Sequence, residues 1–183
     1  MNSTGESETK TKAAGGTSAD PGPTIGRLAA IDAAGVRWVR QMPHPAAVTQ
    51  ALTLLSRATD HSDGWIAVGL TCGVVDRGRR QQWLSATARI ALVELTSRAI
   101  KRAVPRERPQ LADLPPLAPT PTARSFPSSH TAAAVAAISA FDQLLPTAGL
   151  RALASATAFS RLYLGVHFPS DVIAGAVLGR LLG

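Results

Sequence analysis

Cysteine is nearly absent: Cys72 is the single one among 183 residues, which excludes a disulfide scaffold and a zinc site built on paired thiolates. Aromatic residues are scarce too, with three Trp, one Tyr and four Phe. So small a set argues against a nucleic-acid module that stacks bases on exposed rings. Long hydrophobic runs are also missing. A bilayer-spanning helix wants about 20 mainly apolar residues, whereas GWIAVGLTCGVV stops at residue 75 and the later apolar stretches are interrupted by Arg89, Glu94 and Asp142. β-Branched residues never alternate cleanly with polar ones, so strand signals are lacking. No positive start followed by an apolar stretch marks a secretory signal.

What is present is positive charge and small helix-forming residues. The formal net charge is +7. Residues 1–24 hold Lys10 and Lys12 against Glu6, Glu8 and Asp20, so the remainder carries 17 basic and 9 acidic side chains, a net of +8. This opening segment is Ser, Thr, Gly and charge, cannot bury enough surface to fold, and reads as a disordered polar tail. From Ile25 to Gly183 Ala and Leu recur at helical spacing, which predicts one all-α domain. Helices are expected at 25–41, 46–59, 64–76, 81–103, 130–145, 148–165 and 170–182, a bundle of six to seven. The first is basic and amphipathic, suited either to a membrane interface or to docking on the domain.

Between the fourth and fifth helices lies a long loop, PRERPQLADLPPLAPTPTARSFPSS, with more than half of the 13 prolines. Loops of this length in a compact domain are commonly functional. It opens with KRAVPRERP (101–109) and closes with SFPSSH (125–130), and a third segment, SRLYLGVHFPSD, runs from 160 to 171. Phosphoryl transfer needs cations around the equatorial oxygens, an in-line nucleophile and an acid for the leaving oxygen. These segments contain each: Lys101, Arg108 and Arg161 as phosphate clamps, the Ser128 hydroxyl with the N–H groups of Ser129 and His130 at a helix start, and His130 and His167 as candidates for proton or phosphoryl transfer. Asp171 lies four residues after His167, placed to fix one ring nitrogen and aim the other.

In order and spacing the three segments read K-x6-R-P, P-S-x-H and S-R-x5-H-x3-D. The chain thereby resembles the type 2 phosphatidic acid phosphatase (PAP2) superfamily over roughly residues 60–183. The resemblance implies a PAP2/haloperoxidase-like helical core and a multi-pass membrane enzyme. It also implies His167 as nucleophile forming a phosphohistidine, Asp171 orienting it, and His130 as acid and then base. No metal or other cofactor is expected, because three cationic side chains stand where a metal would. The expected substrate is a lipid-linked phosphate: phosphatidic acid, a polyprenyl phosphate or diphosphate, or a polyprenyl-linked sugar phosphate such as decaprenylphosphoryl-phosphoribose. The 16 Arg against 3 Lys and the 33 Ala fit a GC-rich bacterial genome and an actinobacterial cell-wall role.

One residue departs from the family pattern. Ser129 replaces the usual Gly, which requires its φ to be negative or its strain tolerated. His44 and His61 read as solvated or capping residues, Cys72 as packing, and Arg102, Arg106 and Arg124 as surface or steering charges. Tyr163 is placed either along the pocket or in the packing. If the motifs meet at one end of the bundle, Arg77, Arg79, Arg80, Arg151 and Arg180 gather at the other, which the positive-inside rule makes cytoplasmic and the active site extracytoplasmic. Rival readings are a soluble acid phosphatase or a vanadium haloperoxidase of the same superfamily. Nucleic acid is not expected as a partner.

Overall fold

The computed structural model describes residues 22–120 and 122–183. The segment read as a polar tail lies outside the described residues up to position 21. Seven α-helices follow: α1 (Gly22–Arg40), α2 (Ala46–Ala58), α3 (Asp63–Val75), α4 (Arg80–Ala103), α5 (Ser129–Ala140), α6 (Thr147–Tyr163) and α7 (Pro169–Leu182). Among the described residues there is no strand, only an isolated bridge between Glu107 and Arg124 in the long loop. The all-α expectation holds.

Helix ends lie where the local chemistry puts them. Pro43 and Pro45 separate α1 from α2, Ser128 caps α5, and Pro169 occupies the first turn of α7, where its missing N–H costs nothing. Two expected boundaries move by three residues or more. α1 begins at Gly22 rather than 25. α5 stops at Ala140 rather than 145, because Phe141 turns into the core against Trp83 with ring centroids 5.5 Å apart. Leu144 and Leu145 both donate backbone N–H groups to the Phe141 carbonyl, and Pro146 disfavours helix in the residue before it.

α5 is the axis of the bundle. Ala132, Ala133, Ala134, Ala136 and Ala137 are all fully buried, as expected of a helix apolar all round. α3, α4, α6 and α7 pack around it. Cys72 packs at the edge of the same core, as its composition reading suggested. The tightest contact is with α7. A Cβ on Gly175 would come 2.4 Å from the Ser128 carbonyl oxygen, and one on Gly179 would come 2.2 Å from that of Ala132. Backbone therefore lies against backbone, an approach that only small residues permit.

α1 crosses the outside of α6 and α7, so the first helix docks on the domain. No described helix is long and apolar enough to cross a membrane. The 24-residue α4 has the length, but Arg89, Glu94 and Arg98 interrupt it.

Replacing Gly179 by Val should force α5 and α7 apart and lower stability by about 1–3 kcal/mol, the usual cost of overpacking. Thermal unfolding of the purified protein checks this: an unchanged midpoint would mean that the close approach is dispensable.

Candidate active site

The three motifs meet at one end of the bundle. Lys101 projects from the last turn of α4, Arg108 from the loop after it, His130 from the first turn of α5, Arg161 from the last turn of α6, and His167 from the turn leading into α7. All five line one cavity of about 760 Å³, together with Ser129. Ser128 does not line it. That residue is fully buried as the N-cap of α5, its hydroxyl 3.0 Å from Thr131 Oγ1 and accepting the Thr131 N–H at 3.4 Å. In this structure the hydroxyl serves as the helix cap rather than facing the cavity. Ser129 needs no strain, since it opens α5 and the only described non-glycine residue with positive φ is Ser62.

Each cation is anchored by groups that leave part of it facing the cavity. Lys101 Nζ donates to the Pro127 carbonyl at 2.7 Å, tying the first motif to the second. Arg108 donates through Nη1 to the Val166 carbonyl at 2.7 Å and through Nε to Thr122 at 2.7 Å, tying the loop to the third motif. Arg161 is 3% exposed and holds Ser160 Oγ with Nε and Nη2, at 3.0 and 2.8 Å.

Arg108 Nη1 lies 3.2 Å from His167 Nε2. A phosphate oxygen held by that guanidinium is thereby adjacent to the ring nitrogen.

His167 and His130 each face a carboxylate. His167 Nδ1 stands 3.5 Å from Asp171 Oδ2, and His130 Nε2 stands 3.4 Å from Asp60 Oδ1. Both distances are ion-pair separations longer than an ordinary hydrogen bond, of the kind that tighten in substrate complexes. Asp171 is completely buried. Its Oδ2 accepts the Phe168 N–H at 2.8 Å, a capping contact of α7, so the carboxylate that starts the helix also faces the histidine.

Burial pushes the His167 imidazole down. The Asp171 contact opposes that shift, the Arg108 and Lys101 charges add to it, and the result is about 3. The ring is neutral across the physiological range, with a lone pair available. Burial also lowers the Arg108 pKa, against the raising influence of Asp171 and Asp60, and an arginine so shifted still carries its charge. Among the described residues no group of three His, Cys, Asp or Glu side chains is arranged to hold a metal ion.

Besides Asp60, two further residues enter the site that sequence reasoning missed, and one of them overturns the reading of Arg106 as a surface or steering charge. Arg106 Nη1 donates to Asp171 Oδ1 at 2.9 Å and to Ser170 Oγ at 2.6 Å, and its Nη2 pairs with Asp32 of α1. Its guanidinium lies 4.3 Å from the Phe168 ring centroid. Asp32, 5% exposed, also accepts the Ser170 N–H at 2.9 Å. A buried ion network thus joins the first helix to the Asp171 carboxylate. The available signal was Asp32 itself, an acid on the apolar side of α1.

Of the remaining readings, Tyr163 packs rather than lining the cavity, buried against His44 with centroids 4.4 Å apart and 3.2 Å from Thr49 Oγ1. His44 is not simply solvated: its Nε2 is 2.9 Å from Arg40 Nη1. The His61 side chain lies outside the described residues.

Two outcomes are expected. In ¹⁵N NMR of histidine-labelled protein, the buried His130 and His167 imidazoles both stay neutral at pH 5, and one of these two signals vanishes in His167→Gln; a His167 signal titrating near 6.5 contradicts the site geometry. Because the folded value lies below the ordinary one, the associated stability is complete above about pH 6.5 and is lost as pH falls toward 3. Second, Arg106→Ala removes one of the donors to Asp171 and should lower kcat about tenfold or more with little change in KM. A change in KM alone would make Arg106 a binding residue instead.

Comparison with known proteins agrees with this arrangement. The PAP2 superfamily pattern matches residues 82–183. The chain is 37% identical over 131 residues to decaprenylphosphoryl-5-phosphoribose phosphatase of Mycolicibacterium smegmatis, covering 72% of each chain. Its fold is similar to that of a transmembrane PAP2 type phosphatidylglycerolphosphate phosphatase from Bacillus subtilis, with a TM-score of 0.73 at 24% identity over 85% of this chain and 82% of the other. It is likewise similar to LpxE of Aquifex aeolicus, with a TM-score of 0.67 at 23% identity over 80% of this chain and 88% of the other. Motif spacing, the architecture of the seven described helices and sequence identity over most of the length agree: the chain belongs to the PAP2 superfamily and is a phosphoric monoester hydrolase.

Proposed function

We propose that the chain removes a phosphomonoester from a lipid-linked substrate through a phosphohistidine on His167. The observation that carries this reading is the convergence of three motif cations and two carboxylate-facing histidines on one cavity. Lys101, Arg108 and Arg161 hold the three equatorial oxygens, supported by the start of α5 at Ser129. His167 Nε2, its other nitrogen turned to Asp171, attacks phosphorus as the bond to the leaving oxygen breaks. His130, protonated once the phosphate's negative charge is beside it, gives that proton to the leaving alcohol. Neutral His130 then takes a proton from water as the water oxygen attacks phosphorus, releasing inorganic phosphate and His167.

The mycobacterial relative's name supports a polyprenyl-linked phosphosugar as the substrate class. A membrane setting is supported by the outer face of the bundle. Leu70, Val74 and Val75 of α3, Leu84, Leu92 and Leu95 of α4, and Ile173, Val177 and Leu181 of α7 are all exposed. An apolar surface of that extent suits lipid rather than water. Orientation follows from helix polarity. α4 runs from Arg80 to Lys101, about 30 Å at 1.5 Å per residue, so Arg77, Arg79 and Arg80 lie far from the site. With Arg180 at the end of α7 they favour a cytoplasmic far face and an extracytoplasmic active site.

His167→Ala should abolish phosphate release from short-chain polyprenylphosphoryl-ribose 5-phosphate in detergent containing EDTA. Arg161→Ala should lower the rate by about 10²–10³. Wild-type turnover by the His167 variant would overturn the mechanism, and loss of wild-type activity in EDTA would overturn its independence of metal.

A further inference from the structure

The cavity extends well beyond a single phosphate. At about 30 Å³ per water, its 760 Å³ has room for some two dozen solvent-sized groups, and a phosphate has five heavy atoms. Outside the three motif cations it is lined by Arg57, Arg98, Arg102 and Arg124. Two of these are committed. Arg124 Nη1 donates to the Lys101 and Arg102 carbonyls at 2.7 and 2.6 Å, closing the end of α4. Arg98 Nε pairs with Glu94 at 2.7 Å.

Arg57 and Arg102 differ. Neither side chain makes a hydrogen bond or ion pair among the described residues. Arg102 follows Lys101 directly and stands one helical turn from Arg98, while Arg57 comes from the last turn of α2 across the cavity. The two carboxylates that line the cavity are engaged elsewhere, Glu94 with Arg98 and Asp60 facing His130, so its outer part holds two guanidinium groups in no ion pair among the described residues, next to an inner part whose cations are already assigned to the reacting phosphate.

We propose that Arg57 and Arg102, assisted by Arg98, form a second anion subsite for the non-reacting phosphate of a substrate that carries two. The proposal rests on the phosphatase reading above and assigns residues to the recognition of its substrate: a phosphomonoester at one end, a phosphodiester leading to the lipid at the other. A phosphodiester keeps one negative charge at every physiological pH, and arginine is the side chain best matched to phosphate oxygens. With that group held in the outer subsite, only the monoester reaches His167 Nε2. The arrangement therefore selects which of two phosphates is cleaved.

The test compares wild type with the double variant Arg57→Gln, Arg102→Gln on two detergent-solubilised substrates. One is a short-chain prenylphosphoryl-ribose 5-phosphate; the other is an alkyl ribose 5-phosphate of equal chain length without the phosphodiester. Both arginines are exposed, and kcat on the alkyl substrate serves as the folding control. For the two-phosphate substrate KM should rise about 10- to 100-fold, one to two decades for two charge-assisted contacts, while KM for the alkyl substrate changes less than about threefold.

An equal rise on both substrates makes the arginines a general steering field and overturns the subsite, as does no rise on either. The phosphatase reading is tested separately by the wild-type protein: no phosphate release from either substrate overturns that reading, and the substrate subsite with it.

Discussion

The backbone-to-backbone approach of α5 and α7 sets the geometry of everything else. Gly175 and Gly179 admit the Ser128 and Ala132 carbonyls to distances that a Cβ would occupy, and the Ser128 N–H reaches the Asp171 carbonyl at 3.0 Å. His130 and His167 sit just beyond this contact, one in the first turn of α5 and the other in the turn leading into α7. Two rigid helices in direct contact fix their starting points far better than loops could. The alanine-rich character of α5 is the other half of the same constraint, since larger side chains there would push α7 outward.

Assembling so many cations in a buried pocket needs fixed negative groups and carbonyl dipoles nearby. The Pro127 and Val166 carbonyls take part of that role for Lys101 and Arg108. Asp171 takes another part, accepting from Arg106 and from the Phe168 N–H while facing His167. It is at once helix cap, ion partner and histidine neighbour. Such a group is difficult to replace, because a change that preserves one contact disturbs the others.

Much of the site was legible in the sequence, because the motifs have rigid internal spacings and each falls at a helix end, where capping residues and prolines announce the boundary. What escaped was held by long-range contacts. Arg106 looked like one more arginine of a basic loop, and nothing in its neighbourhood predicts Asp32 as its partner, 74 residues away. Asp60 sits in a short 3-10 turn whose approach to His130 depends on how α3 packs against α4 and α5. Ser128 illustrates a different ambiguity: a serine before a helix can cap it or face a ligand, residue type does not distinguish the two, and the capping contact is the one the structure displays. Overall hydropathy did not reveal the apolar outer face either, since its residues are spread over three helices and alternate with buried ones.

The tie between Asp32 and Ser170 joins residues 138 positions apart. A chain emerging from the ribosome therefore displays Lys101, Arg108 and His130 well before His167 and the carboxylate that faces it. Until α7 docks against both α5 and α1, Asp171 lacks its contacts with Arg106 and with the Ser128 N–H. The contacts that tie Ser170 and Asp171 to Asp32 and Arg106 are therefore long-range ones, made by the docking of α7 rather than by the local chain.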